Sequence, residues 1–130
     1  MPEETGSLDH AVCDAAQHIA ARNGATVSMD FDAPVQASTK TREELVRIVR
    51  EAVWNGVRHG EATSFSIELS HANGLHLRIA DNGGGFDPGT IGGQSGLGLD
   101  SMRERAIALG GDLDVRSVPG EGTEVEVSLP

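Results

Sequence analysis

Two hydrophobic periods alternate along the chain. Leu8, Val12, Ala15 and Ile19 recur at helical spacing and predict a first helix, closed by Asn23-Gly24. Val27, Met29 and Phe31 then alternate with Ser28, Asp30 and Asp32, the period of a strand with one wet face. The segment APVQAST at 33–39 reads as loop. Leu45, Ile48, Val49, Ala52, Val53 and Val57 form the stripe of the longest helix. Thr41 is its expected N-cap, with Glu44 completing a capping box and Thr39 as the alternative. Phe65/Ile67/Leu69 and Leu75/Leu77/Ile79 alternate on either side of Asn73-Gly74, a hairpin signal. A short helix from about Asp100 to Leu109 stops at Gly110-Gly111. Two last strands, around Leu113/Val115 and Val125/Val127/Leu129, flank the turn Pro119-Gly120-Glu121-Gly122.

These elements predict an α/β (α+β) two-layer sandwich, three helices on one face of a mixed, mostly antiparallel sheet of about five strands. The domain spans residues 8–130, with residues 1–7 as a disordered leader. From Asp81 to Gly98 there are eight glycines in eighteen residues and little periodicity, so this stretch reads as a mobile loop.

Composition narrows the function. Ten Lys and Arg against twenty Asp and Glu give a net charge of −10, which disfavours nucleic acid, whose binding needs basic surface. A lone Cys13 allows neither an internal disulfide nor a cysteine metal cluster. No apolar run approaches the roughly 18 residues of a membrane span, and MPEETGSLDH lacks the features of a signal peptide. The expectation is a cytoplasmic domain without membrane contact of its own. Seven of the ten basic residues, Lys40, Arg42, Arg47, Arg50, Arg58, Arg103 and Arg105, fall on the long helix with its cap or on the short one. An anionic ligand between those helices is therefore compatible with the overall charge.

Three features break their local rule. Glu51, Asn55 and His59 lie in one row of the long helix at i, i+4, i+8, and Asn55 sits about 100° from the centre of the apolar stripe. Such an amide lines a crevice, or the row is a solvated flank with Arg58 beside it. The parity that turns Leu75, Leu77 and Ile79 inward carries Asp81 inward too. A carboxylate there needs a donor from the protein or a ligand, unless it caps its own turn. Gly83, Gly84 and Gly85 behind it permit close backbone approach. Finally, Gly96-Leu97-Gly98-Leu99 precedes the short helix, where free N–H groups favour a phosphate, although a plain loop-to-helix junction has the same pattern.

In this order the residues resemble the ATP-binding motifs of the GHKL superfamily, which joins gyrase-like, Hsp90-like and MutL-like ATPases with sensor histidine kinases. EAVWNGVRH at 51–59 is similar to the N box, DNGGGF at 81–86 to the first glycine box, GLGL at 96–99 to the second, and GEGT at 120–123 to the closing element. REAVWNGVRH, GLGLDSMRERAIALGG and VPGEGTEVEVSLP resemble the catalytic domain of sensor kinases that partner LuxR-type response regulators. The resemblance implies the Bergerat fold, with ATP between the long helix and the sheet under a lid at about Phe86 to Gly96, poorly ordered without nucleotide. It implies Mg²⁺ coordination by Asn55, an adenine contact by Asp81 with Thr123 supporting it through water, and Gly83 and Gly85 beside the adenine. Gly96 and Gly98 correspond to the glycines beside the phosphates, and Arg58 stands where many kinases contact phosphate. His59, Leu97 and Leu99 complete the expected ATP-binding set. Glu51 is expected to help order the metal shell or the attacking group.

The implied partner is a histidine-bearing dimerisation domain of the same kinase, with a response regulator of LuxR type acting indirectly. Residues 1–7 carry no such helical pattern, so that domain is expected to lie outside this sequence, and His10 and His18 read as surface histidines. Two alternatives use the same pocket: a stand-alone anti-sigma-factor serine kinase, and a module that binds ATP without transferring its phosphoryl group.

Overall fold

The computed structural model describes residues 5–31, 34–71, 73–85 and 98–130. In chain order the elements are β1 (Thr5–Ser7), α1 (Leu8–Arg22), β2 (Thr26–Phe31), β3 (Gln36–Ser38), α2 (Thr39–Arg58), β4 (Ser64–Ser70), β5 (Leu75–Asp81), α3 (Leu99–Ala108), β6 (Asp112–Val118) and β7 (Gly122–Leu129). Five strands form one sheet in the order β2-β4-β5-β7-β6, and β1 and β3 form a separate antiparallel pair. The three helices cover one face of the large sheet, as the alternating periods predict.

Strand β2 pairs with β4 in parallel, Thr26 opposite Ser64 and Phe31 opposite Leu69. A parallel pair needs a crossover, and α2 lies in the connection between them. The other neighbours are antiparallel. Asn73 (φ 56°) and Gly74 (φ 98°) supply the left-handed backbone at the β4–β5 hairpin.

The core lies between the layers. Leu8, Val12, Leu45, Ile48, Val49 and Val53 from α1 and α2 meet Phe65, Ile67, Leu77 and Val127 from the sheet, all almost fully buried. Each such side chain contributes about 1.5–3 kcal/mol. Met102 and Ala106 fasten α3 to the same core. The sheet's other face is polar; Arg78 there bridges Glu68 at 3.2 Å and Glu124.

Several boundaries differ from the sequence reading, each for a physical reason. The N-cap of α2 is Ser38, not Thr41 or Thr39: β3 runs straight into the helix, and its last residue, still extended, accepts from Thr41 N at 3.2 Å. The expected loop at 33–39 thus contains β3, whose three residues are too few to show a period. Residues 5–7 of the expected leader form β1, held against β3. Ser7 caps α1 by accepting from His10 N, and the buried Asp9 carboxylate accepts from Val35 N at 3.0 Å and from the Ser7 hydroxyl at 2.9 Å. Helix α3 starts one residue earlier than expected and ends at a Leu109 cap before Gly110.

Candidate functional site

One pocket opens between α2, the sheet and α3. Ala52, Asn55, Gly56, His59 and Gly60 line it from α2 and its end, Ile79 and Asp81 from β5, Thr123 and Val125 from β7, and Leu99 and Met102 from α3, with Gly85 at the rim. Its floor is apolar, and one carboxylate is aimed at it.

Asp81 holds both positions that its sequence allowed. Its Oδ1 caps the following turn, accepting from Gly83 N at 2.8 Å, and also accepts from Thr123 N at 3.2 Å. Its Oδ2 lies on the Gly56 side, 2.9 Å from where a Cβ at that glycine would stand. Burial pushes the Asp81 carboxyl above its ordinary value, and the N–H groups of Gly83 and Thr123 draw it partly back. Thr123 is fixed in turn, its hydroxyl 2.8 Å from that of the buried Ser117, which also donates to Gly122 O at 3.3 Å.

The glycines around Asp81 stitch backbone to backbone. Gly84 N donates to Gly60 O at 2.7 Å, and Gly120 N donates to Gly84 O at 2.6 Å, so the end of α2, the segment after β5 and the β6–β7 turn form one clasp. Gly122, at φ 90°, lies so close to the Asp81 carbonyl that a side chain there would strike it. Asn82, beside Asp81, has a structural role: its Oδ1 accepts from Thr63 N and Ser64 N at 2.9 and 3.0 Å, fixing the start of β4.

At the other end of the pocket, Gly98 is the N-cap of α3, at φ 67°. The Glu51 carboxyl packs on it, 2.9 Å from where its Cβ would be. The residues expected to act together are therefore largely brought together. Asn55, His59, Asp81, Gly85, Leu99 and Thr123 share the pocket, Gly83 supports Asp81, and Glu51 meets Gly98. Arg58 is separate: its guanidinium lies 5.7 Å from the centre of the Trp54 ring, outside the pocket lining. Gly96 and Leu97, and the expected lid at 86–96, lie outside the described residues.

The sequence reading missed Gly56, Gly60 and Gly122. Gly56 carried a signal: a glycine inside a helix costs about 1 kcal/mol and implies a packing reason. That reason is visible here, because a Cβ would stand 2.6 Å from Phe65 Cε1 as well as close to Asp81.

The lining suits a purine nucleotide. Ile79, Met102 and Val125 offer an apolar bed, Asp81 an acceptor for an exocyclic amine, and the free N–H groups of α3 a site for phosphate. It also suits Mg²⁺ carried in with phosphates. Among the described residues no three His, Cys, Asp or Glu side chains could hold a metal by themselves. Asn55 and Glu51 offer hard oxygen donors, and Mg²⁺ typically takes one or two protein oxygens with the rest from phosphate and water.

Comparison with known proteins agrees with this chemistry. The profile of the histidine kinase-, DNA gyrase B-, and HSP90-like ATPases matches residues 40–130. The chain is 40% identical over 106 residues to the sensor histidine kinase LiaS of Bacillus subtilis, covering 80% of the chain and 29% of LiaS. It is 39% identical over 102 residues to the sensor protein VraS of Staphylococcus epidermidis, covering 78% of the chain and 28% of VraS. It therefore spans under a third of either relative. Among solved structures it is similar to the ATP binding domain of PrrB from Mycobacterium tuberculosis, with a TM-score of 0.80 and 25% identity, covering 98% of this chain and 96% of that one.

Proposed function

The chain belongs to the histidine kinase-, DNA gyrase B-, and HSP90-like ATPase family, and on that premise we propose that it is the ATP-binding catalytic domain of a two-component sensor histidine kinase. It binds Mg-ATP in the pocket beside α2 and donates the γ-phosphoryl to a histidine on a separate dimerisation domain. The observation that carries this reading is the Asp81 carboxylate, with one oxygen held by two backbone donors and the other turned to the side that Gly56 leaves open.

Each residue then has a task. Asp81 Oδ2 accepts from the adenine amino group while the Gly83 and Thr123 amides hold the carboxylate still. Ile79, Met102 and Val125 exclude water from the purine. Gly98 opens the N-terminus of α3 to the phosphates, and Asn55 is the metal ligand. Mg²⁺ held by Asn55 would supply charge neutralisation to the phosphates, which the loose γ-phosphoryl transition state requires. The acceptor imidazole forms a P–N bond as the bond to the bridging oxygen breaks, and ADP leaves with that electron pair. Glu51, beside Gly98, orders the metal shell or the incoming ring. His59 is a rim contact; Gly96 and Leu97 are carried by the motif alone.

LiaS and VraS are sensor proteins by name, and the motifs REAVWNGVRH and GLGLDSMRERAIALGG support a regulator of LuxR type as the downstream partner. No helix among the described residues is long and apolar enough to cross a membrane; a cytoplasmic position for this domain rests on the sensor-kinase reading itself. Incubation with γ-labelled ATP and a histidine-bearing dimerisation domain tests the proposal. Acid-labile label on that domain supports it. Acid-stable label would indicate serine transfer, and bound nucleotide with no transfer would indicate a non-catalytic module.

A further inference from the structure

A second concavity lies on the other flank of α2, between α1 and α3, with chemistry unlike the nucleotide pocket. Arg47, Arg50, Glu51 and Trp54 line it from α2, Arg105 from α3 and Ile19 from α1. Trp54 is 42% exposed and is the chain's single tryptophan. Among the described residues Arg47 and Arg50 make no ion pair, whereas Arg105 reaches Glu44 at 3.3 Å. Arg58 lies over the Trp54 ring and extends the basic row along α2.

This grouping runs against the composition. In a chain of net charge −10, three arginines surround one exposed indole, and Arg47 and Arg50 stand three residues apart on one helix, where like charges repel. Such an arrangement gains free energy from a partner that brings carboxylates. Tryptophan and arginine are also the residue types that dominate interface energetics, an apolar anchor flanked by planar donors that fit carboxylates.

The geometry points to this groove as the docking site of an acidic amphipathic helix, its carboxylates on Arg47, Arg50 and Arg105 and an apolar side chain over Trp54 and Ile19. The groove adjoins the phosphate end of the pocket, because Glu51 lines it and packs on Gly98 at the start of α3.

Trp54 makes the test direct, since all tryptophan emission reports on this groove. The probe is a synthetic helical peptide of about 20 residues, some 30 Å long, with glutamate on one face and leucine on the other. Its control carries lysine in place of every glutamate. Titrated into the full chain, the glutamate peptide should give a saturable blue shift of Trp54 emission and the lysine peptide none. Arg47→Glu and Arg50→Glu should each weaken binding about tenfold or more while melting near the parent temperature, and Arg50→Ala should weaken it less.

The proposal is overturned by the absence of a saturable shift, by an equal response to the lysine peptide, or by charge reversals that leave affinity unchanged. An equal response to single-stranded DNA, or a shift that follows protein concentration without peptide, overturns it in favour of a general polyanion site or a second copy of the chain. Thermal stabilisation by Mg-ATP is measured in parallel. Its absence overturns the nucleotide reading alone, and peptide binding that survives Asp81→Asn separates the two sites.

Discussion

The two flanks of α2 carry concavities built by opposite means. Around Asp81, position is set by backbone: Gly84 bonds to Gly60, Gly120 to Gly84, and the carboxylate to two amides. Around Trp54, position is set by long side chains, three of them arginines with many rotamers. A clasp of backbone bonds loses little entropy when a rigid ligand arrives, whereas arginines must be ordered by the partner they bind. The first construction suits a small molecule of fixed shape, and the second suits a protein surface that varies in detail.

Substitutions can break that contrast, the largest effect first. Gly122→Ala places a methyl group against the Asp81 carbonyl at a positive φ, and we expect a loss of about 3 kcal/mol or more in chemical denaturation. An equally stable variant would mean that the clasp yields and that its rigidity is not a property of the fold. Asp81→Asn should come next. The amide keeps an oxygen for Gly83 and Thr123, so the apo domain should melt within a few degrees of the parent. The Mg-ATP-dependent rise in melting temperature, which follows RT ln(1 + [L]/Kd), should disappear. An undiminished rise would remove Asp81 from the adenine contact.

Acid titration sharpens the same contrast within the chain. Burial raises the folded-state pKa of Asp81, so the carboxylate lowers stability as pH rises through that value, and if the proposed adenine contact uses its ionised form, ATP binding should be lost as pH falls through it. Asp9 is the reverse case. The Val35 amide, with help from Ser7, outweighs burial and holds its pKa below the ordinary value. Its stabilisation is present above the unfolded value and is lost as pH falls through the lowered folded one. Melting curves taken from neutral pH down to about 3 should therefore lose nucleotide stabilisation before apo stability. Simultaneous loss would show that Asp81 titrates normally. Arg58→Ala should have the smallest effect, about 0.5–1 kcal/mol from its contact with Trp54. A large fall in ATP affinity in that variant would return Arg58 to the phosphate site.

What was legible in the sequence follows from the same physics. The stripe of α2, the Asn73-Gly74 hairpin and the inward parity of Asp81 are local patterns, and each survives in the structure. The Ser38 cap was hidden because the strand before it has only three residues. The reason for Gly56, though not the oddity of a glycine within the helix, was hidden because its neighbours, Phe65 and Asp81, come from other elements. Arg58 stands apart from the pocket lining because, although sequence order places it beside the N-box row, the helix turns it toward Trp54. The basic groove was partly visible as charge concentrated on two helices, but its shape depends on how α3 lies against α2. One-dimensional periodicity does not contain that information.

The bond from Thr123 N to Asp81 also carries a kinetic consequence. It joins positions 42 residues apart, and the β5–β7 pairing around it is equally remote. Contacts of such separation must overcome loop-closure entropy and tend to form late. The proposed adenine seat should therefore be absent from the transition state for folding while α2 is already present there. Nucleotide should then slow unfolding and leave the folding rate nearly unchanged, a partition that paired stopped-flow arms with and without Mg-ATP would read. Once folded, the domain would be retained by its ligand, and the newly made chain would gain no speed from it.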